Sequence, residues 1–382
     1  MGRCFFSKIS MQYTKPHLSF EDQADRLIQR GLIVRDKQQL IQILKQVSYY
    51  RLSAYWYPFR EKDEQGKIKD NLCTEITLER VWDHYRFDRR LRVLFVDAIK
   101  RIEIALRTQL VYLYTEKHSP FDYVKPSSFP TWKYCEDKIK KIEEQAGIKN
   151  GSCTERCRHE CIKHFFKKYG DSHQHLPLWM FSEISDFGFT SLFFEHAGRD
   201  IQTEIAKEWA VTPEVLRSWM RSLNTLRNTC AHHGRLWNNV WGTPPKLPPW
   251  HSQRGWYARY SLEKRQWILP QNNKSIQPSF AQDRTAMLLF ICRYLLKKII
   301  PVQNGPKDGK FVSDFQIKEL ISQIWDSQIL NGKNTRYGKI PLLLYNVSYP
   351  IFKRALHKAS MTSRRALLGT WGGRGLPTLT TS

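Results

Sequence analysis

Acidic residues are scarce in this chain: 36 Asp and Glu stand against 61 Lys and Arg, a formal net charge of +25 over 382 residues. Such an excess of one sign favours a polyanionic partner, with nucleic acid first among the candidates. Long apolar runs are also missing. The stretch AMLLFICRYLL is short and broken by Arg293, well under the roughly 18 residues of a membrane span, so no membrane association is expected. The opening MGRCFFSKIS has neither the apolar core nor the small-residue cleavage site of a secretory leader, and the chain reads as cytoplasmic. Its eight cysteines show none of the paired spacing of a small secreted scaffold, which points to reduced thiols rather than a disulfide framework. No self-similarity at a period of roughly 20 to 50 residues is visible, which excludes a solenoid.

What is present is enough apolar material, 41% of residues, for a real core. The 13 Trp, 17 Tyr and 20 Phe either fill that core or offer stacking surfaces to unpaired bases, so RNA or single strands suit the composition better than duplex DNA. The periodicity is helical almost throughout. Ser19-Phe-Glu-Asp22 is a cap and first turn for a helix that stops at Gly31. A second helix starts near Asp36 with Leu40, Ile43, Leu44 and Val47 on one face, and leads into YYRLSAYWYPF, closed by Pro58. The acidic EKDEQGKIKDN is expected to be a loop. From Thr77 to about Glu116 runs the longest periodic segment, with Leu91, Leu94, Phe95, Ala98, Ile102, Ala105, Gln109 and Leu113 marking its apolar face. Arg89, Arg90, Arg92, Lys100, Arg101 and Arg107 crowd its other sides, as a solvated face or as a track for RNA. Glu103 lies in a stripe with Ile99, Leu106 and Leu110 that borders the apolar face, and a carboxylate there needs a cationic partner.

Further helices are expected over Thr131 to Ala146, Thr154 to Tyr169, Leu178 to Ala197, Phe280 to Ile300 and Ser313 to Ile329. Thr212-Pro213-Glu214 is a cap, a first-turn proline and an early acid, a strong start for one more. On that helix Leu216, Trp219, Leu223, Leu226 and Cys230 repeat at steps of three and four and face a core. It carries RNTCAHHGRLWN, residues 227 to 238. Arg227 and His232 are rotated by roughly 140° on a continuous helix. Gly234 is where a left-handed terminating residue belongs, which would end the helix at His232 or His233 and free the imidazoles to turn back toward the arginine. The spacing alone is uninformative, because Arg158 with His164 matches it as well as Arg227 does with His232 and His233. Asn228, the tandem histidines and the capped helix distinguish the 227 site. The proline- and glycine-rich WNNVWGTPPKLPPWHSQRGW that follows either covers the site or is a plain surface loop.

RNTCAHHGRLWN resembles the Arg-Asn-x-x-x-His motif of HEPN ribonucleases, in the form it takes in the Abi (abortive infection) family of AbiD and AbiF type; the nuclease domains of type VI CRISPR effectors share it. QADRLIQRGL, YYRLSAYWYPF, FDRRLRVLFVDAIKRIEIALRTQL and PLWMFSEISDFG resemble family segments in the family's order, so the resemblance covers about Tyr13 to Phe352. It implies a mainly α fold, a HEPN-like helical bundle with an N-terminal helical segment and C-terminal helical additions. The corresponding divisions are an extension at 1–12, a helical and aromatic segment at 13–75, a HEPN-like core at 76–300, a helical addition at 301–352 and a basic, disordered tail at 353–382. The extension and the glycine-rich tail look foreign to the family, which makes Met11 a candidate natural start.

The activity so implied is metal-independent RNA cleavage by a phage-defence or toxin-like nuclease, acting as a homodimer that pools two motifs. RNA cleavage needs no cofactor and no metal if the neighbouring 2′-hydroxyl attacks the phosphate; it needs a base, an acid and a cation. An imidazole titrating near neutrality supplies the first two, and a guanidinium grips phosphate oxygens. By the family's pattern Arg227 holds the phosphate, His232 moves the proton, Asn228 orients one of them and His233 supports them. The resemblance at RIEIALR makes Glu103 a candidate partner of Arg227, against an ordinary buried ion pair. Arg89, Arg90, Arg92 and Arg235 are candidate RNA contacts, and the Lys353 to Arg365 segment a weaker one. A non-catalytic RNA-binding module using the same basic cleft is the alternative function, and an Arg and a His that merely cap a buried helix end are the alternative for the motif. A folded non-coding RNA is the expected regulator, since a +25 nuclease left open would attack its host. Cys153, Cys157 and Cys161, spaced by four, could share a helix face near His164 and bind zinc, but small buried thiols explain the same letters better.

Overall fold

The computed structural model describes residues 14, 16–73, 75–125, 127, 135–249, 259–261, 266–268 and 283–299. The expected N-terminal extension, the helix from Ser313 and the basic tail lie outside these residues. The described chain is mainly helical, as expected, with three two-stranded hairpins. It divides into two compact units, Met1–Arg90 and Leu91–Ser382.

In the first unit α1 (Phe20–Gln29) starts where the Ser19 hydroxyl accepts the Asp22 N–H at 3.0 Å, and the chain turns at Gly31 with φ +96°. Asp36 caps α2 (Lys37–Val47) by accepting from Gln38 and Gln39, and Leu40, Ile43, Leu44 and Val47 are buried as their spacing requires. The aromatic stretch forms α3 (Tyr49–Trp56), and Tyr55 donates to the buried Asp88 carboxylate at 2.6 Å. The stretch EKDEQGKIKDN is not a plain loop. It forms most of a hairpin, β1 (Arg60–Lys62) with β2 (Ile68–Leu72), turned by Asp63, whose carboxylate accepts from Gln65 and Lys67. Of β2 only Leu72 is buried, so the apolar alternation that would announce a strand is missing.

The long segment is α4 (Leu78–Lys117), 40 residues without a glycine or proline and so about 60 Å of uninterrupted helix. The unit boundary falls within it, after Arg90. In the second unit its buried face is wider than the spacing suggested. Ile99, Leu106, Leu110 and Tyr114 are buried with Leu91, Phe95, Ala98, Ile102 and Leu113, whereas Leu94, Ala105 and Gln109 are half-exposed. Gln109 has its own reason to be there, because its amide oxygen accepts the indole N–H of Trp209 at 2.7 Å.

The rest of the second unit comprises α5 (Cys135–Gln145), a hairpin of β3 (Ile148–Lys149) and β4 (Ser152–Cys153), α6 (Glu160–Tyr169), α7 (Leu178–Ile184), α8 (Phe187–His196), α9 (Arg199–Glu208), α10 (Pro213–Ala231), a hairpin of β5 (Arg259–Ser261) and β6 (Gln266–Ile268), and α11 (Thr285–Ile299). Two expected helices are shorter or divided. The segment from Leu178 breaks at Ser185 because Asp186 starts a new helix, its carboxylate accepting the Phe189 N–H at 2.6 Å. The segment from Thr154 becomes helical only at Glu160, after a turn in which the Cys157 N–H bonds the Thr154 carbonyl at 3.0 Å and against which Gly147 fits so tightly that a Cβ there would lie 2.4 Å from the Cys157 nitrogen. Cys153 is therefore in a strand, Cys157 buried in a turn and Cys161 exposed on α6, so the three do not share a helix face. Among the described residues no cluster has the makings of a metal site, and no helix is long and apolar enough to cross a membrane.

Candidate functional site

The site is the C-terminal end of α10. The Thr212 hydroxyl accepts the Val215 N–H, Pro213 occupies the first turn, and Leu216, Trp219, Leu223 and Leu226 are fully buried against neighbours that include α8, α9 and α11. That stripe fixes the rotation of the helix, and with it the direction of the residues that are not apolar. Arg227, half-buried, borders the buried line, and Asn228, exposed, lies on nearly the opposite side of the helix. The Arg227 guanidinium donates to the Asn228 side-chain oxygen at 3.3 Å. Asn228 is one turn before His232, whose N–H closes on the Asn228 carbonyl at 3.0 Å. His232 is exposed. Arg227 thus bonds the Asn228 side chain and His232 only the Asn228 backbone, and the His232 imidazole does not turn back to bond the arginine.

The reason is how the helix stops. His232 keeps a near-helical backbone as the cap, and the left-handed residue is His233, with φ +57°, not Gly234. The Gly234 N–H bonds the Thr229 carbonyl at 2.7 Å and the His233 N–H the Cys230 carbonyl at 3.1 Å, the paired bonds of a Schellman turn. Histidine is among the few side chains enriched in that conformation. Gly234 is required for a different reason: a Cβ there would meet Thr229 Cγ2 at 2.6 Å. Thr229 has little room to yield, since its hydroxyl donates to the Thr225 carbonyl at 2.9 Å and its χ1 is stiff. Gly234→Ala is expected to cost about 1–3 kcal/mol in denaturant unfolding, the usual range for overpacking. Thr229→Ser in the same chain, which deletes Cγ2, should recover most of it. A Gly234→Ala protein as stable as wild type would show that this close approach is not tight.

Beside the helix end is a polar cluster that the spacing only half revealed. Glu103 is buried on α4, and its ion-pair partner is Arg107, one turn on, at 3.2 Å. Arg107 also donates to the Ser182 carbonyl at 2.6 Å, tying α4 to α7. Burial raises the Glu103 carboxyl above its usual range, opposed first by Arg107 and then by Arg227, while Asp186 raises it further. Arg227 therefore acts on Glu103 through space, and Arg107 holds it directly. Where α8 begins, Gly188 lets α10 approach, with Asp186 Oδ1 and the Asn224 amide 3.2 and 3.5 Å from where a Cβ would be. Arg107, Asp186 and Asn224 were not singled out from the sequence as site residues, although Glu103 and Arg107 have the i, i+4 spacing of a helical ion pair.

The candidate RNA contacts divide. Arg89 and Arg90 are exposed in the first unit. Arg92 is buried, and its guanidinium donates to the Gly234 carbonyl at 3.2 Å, so it supports the turn after the histidines. Arg235 is half-buried beyond that turn. The loop that follows is irregular through Pro249, as its prolines require, and is fastened to the middle of α10: Lys246 receives the Trp219 indole N–H at its carbonyl and gives its own N–H to the Ser218 hydroxyl.

A family model described as Abi-like protein matches residues 42–238, more than half of the chain, ending just past the Schellman turn. No curated protein and no solved structure matches.

Proposed function

The chain belongs to the Abi-like protein family, which implies abortive-infection defence against phage, and from that premise we propose that it is a metal-independent endoribonuclease of HEPN type, close to the AbiD and AbiF proteins. The observation that supports it best is the open end of α10, where a half-buried guanidinium donates to a carboxamide and an exposed imidazole lies one turn on, all three held on a rigid, well-capped helix. In the reaction the 2′-oxygen of a ribose bonds to the adjacent phosphorus as its proton passes to a base, and the bond from phosphorus to the 5′-oxygen breaks as that oxygen takes up a proton. His232 is assigned the proton transfer, Arg227 the charge on the phosphate oxygens, and Asn228 the orientation of Arg227. One copy offers one such set on an exposed surface. A second copy of the chain, related by a two-fold axis, supplies the second base or acid and a second cation to a single cleft.

A folded RNA fits as the restraining partner, because neutralising part of the +25 charge offsets self-repulsion while blocking the cleft. The test is to purify the chain at low and at high salt and supply single-stranded RNA in the presence of EDTA. Cleavage to 2′,3′-cyclic phosphate ends is expected, with nucleic acid in the low-salt preparation and higher activity once it is stripped. A requirement for added Mg²⁺ would refute the mechanism, and tight binding of RNA without any cleavage would favour a non-catalytic RNA-binding module. Equal activity before and after stripping would place the control elsewhere.

A further inference from the structure

On α4, in the second unit, three large apolar side chains face solvent: Val93 at 65%, Ile104 at 59% and Tyr112 at 66% exposure. Val93 and Ile104 are eleven residues apart, almost three whole turns, so they lie on the same line of the helix. Asp97 and Lys100 fall between them, both exposed, and the four side chains lie within about 60° of one another around the helix axis. Asp97 has a flanking ion pair with Arg101 at 2.5 Å and still keeps 53% of its side chain exposed. On a helix otherwise crowded with arginine in a chain of +25, this stripe has no net charge. A polyanion is therefore a poor fit to it.

The stripe has internal symmetry. Val93 is as far before the midpoint between Ala98 and Ile99 as Ile104 is after it, and Asp97 and Lys100 are likewise equidistant from that midpoint. A two-fold axis through the midpoint, setting two such helices antiparallel, brings Val93 of one copy against Ile104 of the other at both ends. In the middle it brings Asp97 within reach of Lys100 across the seam, twice. A surface that is complementary to itself in this way fits a second copy of the same chain.

We propose that this stripe, Val93, Asp97, Lys100 and Ile104, is the seam of a homodimer. For its purpose the proposal rests on the two-copy ribonuclease above, but its geometry does not. Glu103 and Arg107 are on the neighbouring strip of the same helix, with Arg227 acting on Glu103, so a seam here sets the two polar clusters beside a common axis.

A charge swap tests it. Lys100→Glu sets carboxylates opposite carboxylates, and Asp97→Lys sets ammoniums opposite ammoniums; each is expected to weaken self-association at least about ten-fold by sedimentation, with helicity unchanged. The double variant Asp97→Lys/Lys100→Glu restores complementarity and should dimerise as wild type does. A wild-type chain that is monomeric at all concentrations, single variants that stay dimeric, or a double variant that stays monomeric would overturn the seam. Cleavage measured on the same samples separates the two ideas. Monomeric single variants that still cleave RNA would leave the seam standing and refute the two-copy site. Variants that remain dimeric and active would do the reverse.

Discussion

Arg227→Ala and His232→Ala are each expected to lower RNA cleavage by about a thousand-fold while leaving the fold intact. Proton transfer by a positioned side chain contributes typically 10²–10⁴ in rate, and loss of one group that stabilises developing charge costs about 10²–10³. Stability should change by less than about 0.5 kcal/mol, because neither residue belongs to the buried stripe of Leu216, Trp219, Leu223 and Leu226. Single-turnover cleavage of a labelled RNA, with thermal unfolding of the same samples, measures both. RNA binding should survive in His232→Ala, since the change leaves the formal charge of +25 as it is. If both variants unfold, Arg227 and His232 are structural caps of the helix; if both fold and cleave at the wild-type rate, the site is elsewhere.

Arg107→Ala is expected to be strongly destabilising, by about 3–5 kcal/mol, because it leaves the buried Glu103 carboxylate without its ion-pair partner. The lost bond to Ser182 adds less, since that carbonyl still accepts the Ser185 hydroxyl at 2.9 Å. Replacing both partners, as in Glu103→Leu/Arg107→Met, removes the uncompensated charge and should recover most of the loss. The pH dependence has a definite sign. The folded Glu103 carboxyl already titrates above its ordinary value of 4.5, and removing Arg107 raises it further. A raised carboxyl favours the fold fully below that ordinary value, and the benefit is lost as pH climbs through the folded value. The deficit of Arg107→Ala should therefore be small near pH 4 and grow toward neutrality. A deficit independent of pH would show that Arg107 acts by packing and not by charge.

Much of this site was legible in the sequence, where local chemistry alone decides. Thr212-Pro213-Glu214 starts α10 because a hydroxyl cap, a missing N–H and an early acid all suit a helix N-terminus, and the step of three and four in Leu216, Trp219, Leu223 and Leu226 fixes its buried side. The far end was harder. Sequence placed the left-handed residue at Gly234, the residue for which that conformation is cheapest, whereas the chain puts it at His233 and uses the glycine for the close approach to Thr229. Period cannot separate those two uses of a glycine. On α4 the carboxylate at Glu103 masks the width of the buried face, because an unpaired charge marks a border, whereas this one is buried and paired with Arg107 one turn on. The break at Asp186 is written in Ser-Asp-Phe-Gly as a cap, but the apolar residues continue through it and mask it.

The fastening of Lys246 to α10 has a consequence for how the chain breathes. Its N–H donates to the Ser218 hydroxyl, its carbonyl accepts the Trp219 indole N–H, and the Thr243 carbonyl accepts the Ser222 hydroxyl, all along the middle of the helix. Proline-rich stretches ordinarily exchange their few amide protons with solvent quickly, from brief local openings. Here the Lys246 proton is held by a helix hydroxyl, so it is expected to exchange more slowly than an unfastened loop amide, and the chain just after the motif opens less readily than its prolines alone would allow.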